Sequence, residues 1–345
     1  MVRSRSAVQF CPTALTYMII VTGGAGFIGS VLVAELNRRG RKDILIVDDV
    51  DHDEKKHNLK ALSYERLVGS EAFHAGIVSG SYDDKGVEAL FHLGACSSTM
   101  ETNWEYLKKV NVEYTKMLIE WSSKHDVRMV YASSAATYGN GEQGYSDAHE
   151  LFDTLVPLNL YGKSKLDVDI WARDNGYLDT AVGVRYFNVF GPNEYHKEGM
   201  KSVIGKKYPD VAAGKGIELF RSYRKDYADG EQVRDFIYVK DAVAMTLFFF
   251  DMPHVNGVFN IGTGKAESWN AVARALGTAS HMPVAIEYVD MPELLKKQYQ
   301  YFTEADMTKL RNAGWADEVM PLEEAVIEYV RDYLAPHHHV GQVTY

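Results

Sequence analysis

The sequence predicts an α/β chain built on a doubly wound parallel sheet, with a smaller interleaved mixed α/β lobe. Three observations carry that prediction. Short apolar runs alternate with longer amphipathic ones over the first two-thirds of the chain. A glycine-rich turn, Gly23-Gly24-Ala25-Gly26-Phe27-Ile28-Gly29, follows the first apolar run and opens the first amphipathic one. An acid, Asp48, ends the second apolar run, 19 residues after Gly29.

The elements follow in order. Met18–Thr22 reads as a strand, and Phe27–Arg39 as a helix closed by Gly40. Asp43–Asp48 is a second strand and Ala89–Leu93 a third, followed by a helical pattern from Trp104 to about Lys124. Arg128–Ser133, a helix over Leu160–Arg173 and a strand over Thr180–Asn188 continue the β-α-β rhythm. After Gly191-Pro192 the rhythm loosens. A helix near Met200–Ala213, a strand at Ile217–Phe220, a polar tyrosine-rich loop, a strand at Val258–Ile261 and helices at Ser268–Leu276 and Pro321–Leu334 complete the reading. Residues 18–190, with a return near 235–262, are expected to form a Rossmann domain. Residues 191–234 and 263–335 are expected to form a substrate-binding lobe, and 336–345 a flexible tail.

Residues 1–17 read as an extension. Arg3 and Arg5 precede the largely apolar Ala7–Val21, a pattern shared with secretion signals, but Pro12 interrupts it and its end runs into the glycine turn. A net charge of −10 argues against nucleic acid as a partner, and no apolar run has membrane-spanning length. Two cysteines, Cys11 and Cys96, cannot form a disulfide framework and point to a reducing, cytoplasmic setting. The histidine triple His337–His339 lies past the last helix, and no metal centre is expected.

Three motifs carry chemistry. In the glycine turn, Gly23, Gly26 and Gly29 allow backbone N–H groups to approach a pyrophosphate, while Asp48 is placed for an adenosine ribose. Lys55, Lys56 and His57 follow Asp48 and Asp49. A cation there could meet a 2′-phosphate, so chemistry alone leaves NAD and NADP both open. Tyr161 has Lys165 four residues on, hence on the same helical face. A nearby ammonium lowers a phenol's pKa and suits it to general base work. Ser134 ends a strand, where a hydroxyl can reach a substrate oxygen.

Together these residues resemble the extended short-chain dehydrogenase/reductase family. Arg185–Pro192, Arg234–Val239 and Asn260–Gly264 resemble its nucleotide-sugar-modifying members. The finer likeness is to the ADP-heptose 6-epimerases. His92–Thr99, Tyr131–Gly139, His196-Lys197 and Tyr299–Thr303 carry it.

The resemblance implies a Ser134, Tyr161 and Lys165 catalytic set, with Lys197 as a second base. It implies a cofactor site of Gly23, Gly26, Phe27, Ile28, Gly29, Asp48, Asp49, Lys55, Leu93, Gly94, Ala95, Cys96, Ser97, Asn111, Tyr161, Lys165 and Val189. Ser134, Asn188, Lys197, Gly199, Lys206, Phe220, Arg234 and Tyr299 are implied to contact the sugar nucleotide. Lys55 favours NADP over NAD, although Asp49 stands where an asparagine is common. Lys206 stands where a histidine is usual, and Arg221–Val233 is longer than in the best-known members. The implied reaction is inversion at C6 of an ADP-heptose by transient oxidation, in a homo-oligomer for which a pentamer is the suggested form. A UDP-hexose 4-epimerase of the same fold, or a non-catalytic NAD(P)-binding protein, are the alternatives.

Overall fold

The computed structural model describes residues 17–296 and 299–343. Residues 1–16, which hold Cys11 and nearly all of the expected extension, lie outside the described residues.

The strands are β1 (Met18–Thr22), β2 (Ile44–Val47), β3 (Arg66–Val68), β4 (Val87–His92), β5 (Arg128–Ser134), β6 (Ala181–Tyr186), β7 (Asn188–Phe190), β8 (Ile217–Phe220), β9 (Val233–Tyr238), β10 (Gly257–Ile261), β11 (Ala266–Ser268) and β12 (Ile286–Val289). Seven form one sheet in the order β10-β6-β5-β4-β1-β2-β3, and every pairing in it is parallel. The order reverses between β1 and β4, which opens a crevice beyond their carboxyl ends.

The helices are α1 (Phe27–Arg38), α2 (Asp53–Leu59), α3 (Ser70–Val78), α4 (Trp104–Leu107), α5 (Tyr114–Lys124), α6 (Leu160–Asp174), α7 (Val203–Ala212), α8 (Val239–Asp251), α9 (Trp269–Ser280), α10 (Glu293–Lys296), α11 (Thr308–Asn312) and α12 (Leu322–Glu328). Both faces of the main sheet are covered, so its central strands β1 and β2 are apolar rather than alternating. Ile19, Val21, Ile44 and Ile46 face one core with α1 and α8; Ile20, Leu45, Val47 and Leu90 face the other with α3, α5 and α6.

A three-stranded sheet, β11-β9-β7, and a parallel β12-β8 pair stand beside the main sheet. The expected strand over 180–188 is therefore two strands: β6 stays in the main sheet, and after Phe187 the chain passes to β7 against β9. The helix expected from Met200 starts instead at Val203, because Ser202 caps it by accepting a hydrogen bond from Gly205 N at 3.0 Å. The long helices near 104–124 and 321–334 each contain a π-helical turn, Lys108–Glu113 and Tyr329–Leu334.

The C-terminal segment does not run free as expected. His339 and Val340 are buried, and Val340 N donates to Asn193 Oδ1 at 2.9 Å.

Candidate active site

Backbone meets backbone at the glycine turn. Gly23 has φ +68°, and a Cβ there would lie 2.6 Å from Gly94 N; a Cβ on Gly29 would lie 2.1 Å from Gly23 O. Gly26 caps α1 with no side-chain hydrogen bond, so Phe27 and Ile28 present the N–H groups that every helix start leaves without an intrahelical acceptor. This cradle fits a dinucleotide pyrophosphate. Asp48, buried, accepts from Ala25 N at 2.9 Å and from Lys55 Nζ at 3.0 Å, so it braces the turn. Lys55 also donates to Asp49 O at 3.1 Å, while the Asp49 carboxylate accepts from Ser70 N at the start of α3.

Leu93, Gly94, Ala95, Cys96 and Ser97 leave β4 beside this cradle. Asn111, fully buried in the first π-helical turn, clamps that loop: its Oδ1 accepts from Cys96 N at 2.9 Å, and its Nδ2 donates to Cys96 O and to Ser164 Oγ at 3.0 Å each. Its amide is thus committed to the loop it was expected to accompany along the cofactor. Val189 is half-buried on β7.

Tyr161 and Lys165 lie in the first two turns of α6, which Asn159 caps by accepting from Gly162 N at 2.8 Å. Ser134 ends β5 beside Tyr161, and its hydroxyl lowers the phenol's pKa. Burial is the larger effect and leaves Tyr161 above its ordinary value. The expected lowering by Lys165 is not seen, because that ammonium turns to Ala132 O at 2.9 Å. Burial brings Lys165 itself down to about 8, against the opposing pull of Asp169.

Lys197 lies in the turn after β7, with its Nζ 5.1 Å from the centre of the Phe27 ring. Burial lowers its pKa, while Glu194 raises it. Glu194 is fully buried and accepts from Ser202 N and Oγ at 2.6 Å and from Tyr329 Oη at 3.0 Å. It thereby anchors the turn that carries Lys197. Asn188, Gly199 and Lys206 are exposed near that turn, and burial lowers the Lys206 pKa.

Farther along, the Arg234 guanidinium lies 5.1 Å from the Tyr299 ring and 5.9 Å from the Trp269 ring. Phe220 meets Tyr299 edge-on at 6.3 Å. Apart from Ser134, which ends β5 beside Tyr161, the expected substrate residues thus fall into two groups, one around Lys197 and one around Arg234.

Residues 19–262 match the NAD dependent epimerase/dehydratase family. The chain belongs to that family. It is 48% identical over 318 residues to the ADP-L-glycero-D-manno-heptose-6-epimerase of Nitratidesulfovibrio vulgaris strain DP4, covering 92% of this chain and 98% of that one. It is 42% identical to the enzyme of the same name from Fusobacterium nucleatum, over 92% of this chain and 98% of that one. Among solved structures, the Helicobacter pylori ADP-L-glycero-D-manno-heptose-6-epimerase superposes with a TM-score of 0.77 at 25% identity, covering 92% of this chain and 96% of that one. Family membership brings a nicotinamide cofactor, and the glycine cradle of this epimerase fits one.

Sequence reasoning missed the network beneath the expected catalytic set. Asp169, one turn past Lys165, accepts from Tyr131 Oη at 3.0 Å, from Ser133 Oγ at 2.9 Å and from Arg185 Nε at 2.9 Å. Arg185 is fully buried between the Phe152 and Tyr138 rings, 4.3 and 4.9 Å away. A charge in the middle of the apolar β6 run was the available signal, since a buried arginine requires a partner. His92 was missed as well. Thr115 Oγ1 donates to Asn111 O at 2.6 Å and so accepts from His92 Nε2 at 3.0 Å. His92 Nδ1 then accepts from Thr22 Oγ1 at 2.7 Å, and that oxygen accepts from Gly94 N at 3.1 Å. This relay ties the glycine cradle to the π-helical turn.

Proposed function

We propose that this epimerase inverts C6 of an ADP-glycero-manno-heptose, with Tyr161 and Lys197 as separate acid/base groups. The observation that carries the reading is their placement. Tyr161 stands with Ser134 past the end of β5, whereas Lys197 stands over Phe27, past the glycine turn of β1, and the end of β4 lies between them.

A nicotinamide dinucleotide held by the Gly23–Gly29 cradle would supply reversible hydride transfer. The sugar passes through a C6 ketone, and with one fixed hydride donor the two hands of the sugar place their hydroxyl groups differently. Each hand then needs its own proton acceptor. Tyr161 exchanges the hydroxyl proton of one hand, assisted by the Ser134 hydroxyl. Lys197, whose burial eases loss of its proton, exchanges that of the other. Glu194 holds the Lys197 turn. Arg234, Phe220 and Tyr299 offer a cation and aromatic faces suited to the nucleotide.

We further propose NADP as the cofactor. Lys55 places an ammonium at the adenosine end, and the Asp49 carboxylate is drawn off toward Ser70 N. Cytoplasmic residence and a homo-oligomeric, pentameric state complete the proposal.

The test is NMR of the sugar after incubation with ADP-D-glycero-D-manno-heptose, beside a tube of UDP-galactose. Inversion at C6 is expected; change in UDP-galactose alone would overturn the heptose reading. Tyr161→Phe and Lys197→Met are each expected to lose epimerisation about 10²–10⁴-fold while cofactor binding is kept. Normal epimerisation by Lys197→Met would remove Lys197 as the second base.

A further inference from the structure

We propose that Glu54, His57 and His339 bind one zinc-class divalent metal ion, clipping the C-terminal segment onto α2. This site is separate from the proposed catalytic residues and does not depend on the reading above. Its donors come from distant parts of the chain. Glu54 and His57 are three residues apart on α2 and so share a face. His339 reaches them from beyond the last helix.

One ligand atom from each of the three residues lies within 4.8 Å of the others. His339 Nε2 is 3.5 Å from Glu54 Oε2, a buried carboxylate oxygen that accepts no hydrogen bond among the described residues. His337 Nε2 lies 3.9 Å from the other carboxylate oxygen, Glu54 Oε1, outside the trio, so water would complete the ion's coordination. Tetrahedral zinc with bonds of about 2.0–2.2 Å sets its donors roughly 3.3–3.5 Å apart, so the widest separation must contract by about 1.5 Å. His57 is exposed and can make that movement by rotating its side chain.

The His339 ring is already set for coordination. Asn58 Nδ2 donates to the carbonyls of Ala25 and Asn193 at 3.0 and 3.2 Å, which turns Asn58 Oδ1 toward His339 Nδ1 at 2.8 Å. A carbonyl oxygen only accepts, so Nδ1 carries the hydrogen and Nε2 keeps its lone pair toward Glu54. This is the outer-shell support that orients metal-binding imidazoles. The Tyr195 ring packs against His337 and His339 at 4.8 and 4.9 Å and holds both in place. The neighbouring cations have partners of their own: Lys55 pairs with Asp48, and Lys56 with Asp53. Imidazoles with one carboxylate select a zinc-class ion over magnesium or calcium, which prefer all-oxygen sites.

Calorimetric titration of the chelator-stripped, full-length chain with Zn²⁺ tests this. One ion per chain is expected, with Co²⁺ giving the visible absorption of a tetrahedral site. His57→Ala, at an exposed position, and Glu54→Gln, which keeps the side-chain shape, are each expected to weaken binding at least tenfold while circular dichroism is unchanged. Zn²⁺ should also slow hydrogen exchange over residues 336–343 in the parent chain but not in His57→Ala. Binding no tighter than millimolar, or Zn²⁺ affinity unchanged in both variants, overturns the site.

Discussion

Asp169 and Arg185 are both fully buried, and their ion pair at 2.9 Å lies directly beneath the strand that ends in Ser134. Removing one partner of such a pair leaves an uncompensated charge in the core, which costs about 3–5 kcal/mol. Asp169→Ala is therefore expected to lose about that much stability in urea denaturation, and a loss under about 1 kcal/mol would show that Arg185 finds another partner. His92 makes a different prediction at the same scale. Burial and the nearby Lys165 charge hold its pKa at about 3. The folded protein therefore binds fewer protons than the unfolded chain between that value and the ordinary histidine value of about 6.5. Stability is thus lost as pH falls through that window, on the order of a few kcal/mol from this residue. His92→Gln keeps an amide for Thr22 and Thr115 but has no proton to gain. Its acid-unfolding midpoint, read by fluorescence, is expected to lie at lower pH than the parent's; an unmoved midpoint would place the acid sensitivity elsewhere.

At the scale of elements, the β1–α1 turn is tightly constrained. A Cβ at residue 29 would lie 2.1 Å from a backbone oxygen, which no side-chain rotation relieves. Gly29→Ala must displace the turn, and each 1.4 kcal/mol so lost weakens binding tenfold. Cofactor affinity is expected to fall at least about tenfold by fluorescence titration, and parent-like affinity would mean the cradle tolerates widening. This turn was legible in the sequence because glycine spacing, strand and helix all point the same way. The same holds for β1 and β2, which are unbroken apolar runs between turn residues. The short elements were not legible. β3 has only three residues, with Arg66 and Leu67 exposed, so it shows no burial pattern. β9 reads as part of a polar loop until Arg234 and Asp235 are seen to be buried with partners: Asp235 accepts from Thr263 N, Gly264 N and Ala305 N at 2.8–3.0 Å. Among the expected site residues, helical spacing puts Tyr161 and Lys165 on one face, while Ser134 joins them as a set only through the family resemblance. Asp169, Arg185 and Glu194 act through partners far away in sequence, which no local pattern encodes.

At the scale of the whole molecule, two asparagines tie the C-terminal segment to the glycine turn. Asn58 on α2 and Asn193 before the Lys197 turn are both fully buried. Each is held on one side by the glycine-turn region and on the other by the C-terminal segment. Asn58 donates to Ala25 O and accepts from His339 Nδ1. Asn193 donates to Ser30 Oγ at 2.8 Å and accepts from Val340 N. A chain ending at Ala335 would keep every strand and every α-helix, yet would leave both Oδ1 atoms without these donors. Each lost hydrogen bond costs about 1 kcal/mol net, and the side chain of Val340 loses its burial as well. The truncated chain is expected to fold with the same far-ultraviolet dichroism, to melt several degrees lower, and to bind the cofactor several-fold more weakly. The weakening should appear because Asn58 and Asn193 no longer fix Ala25 and Ser30, which flank the N–H groups of Phe27 and Ile28. A truncated chain with full cofactor affinity would show that the glycine turn holds its shape without the C-terminal brace. The two asparagines would then serve stability alone.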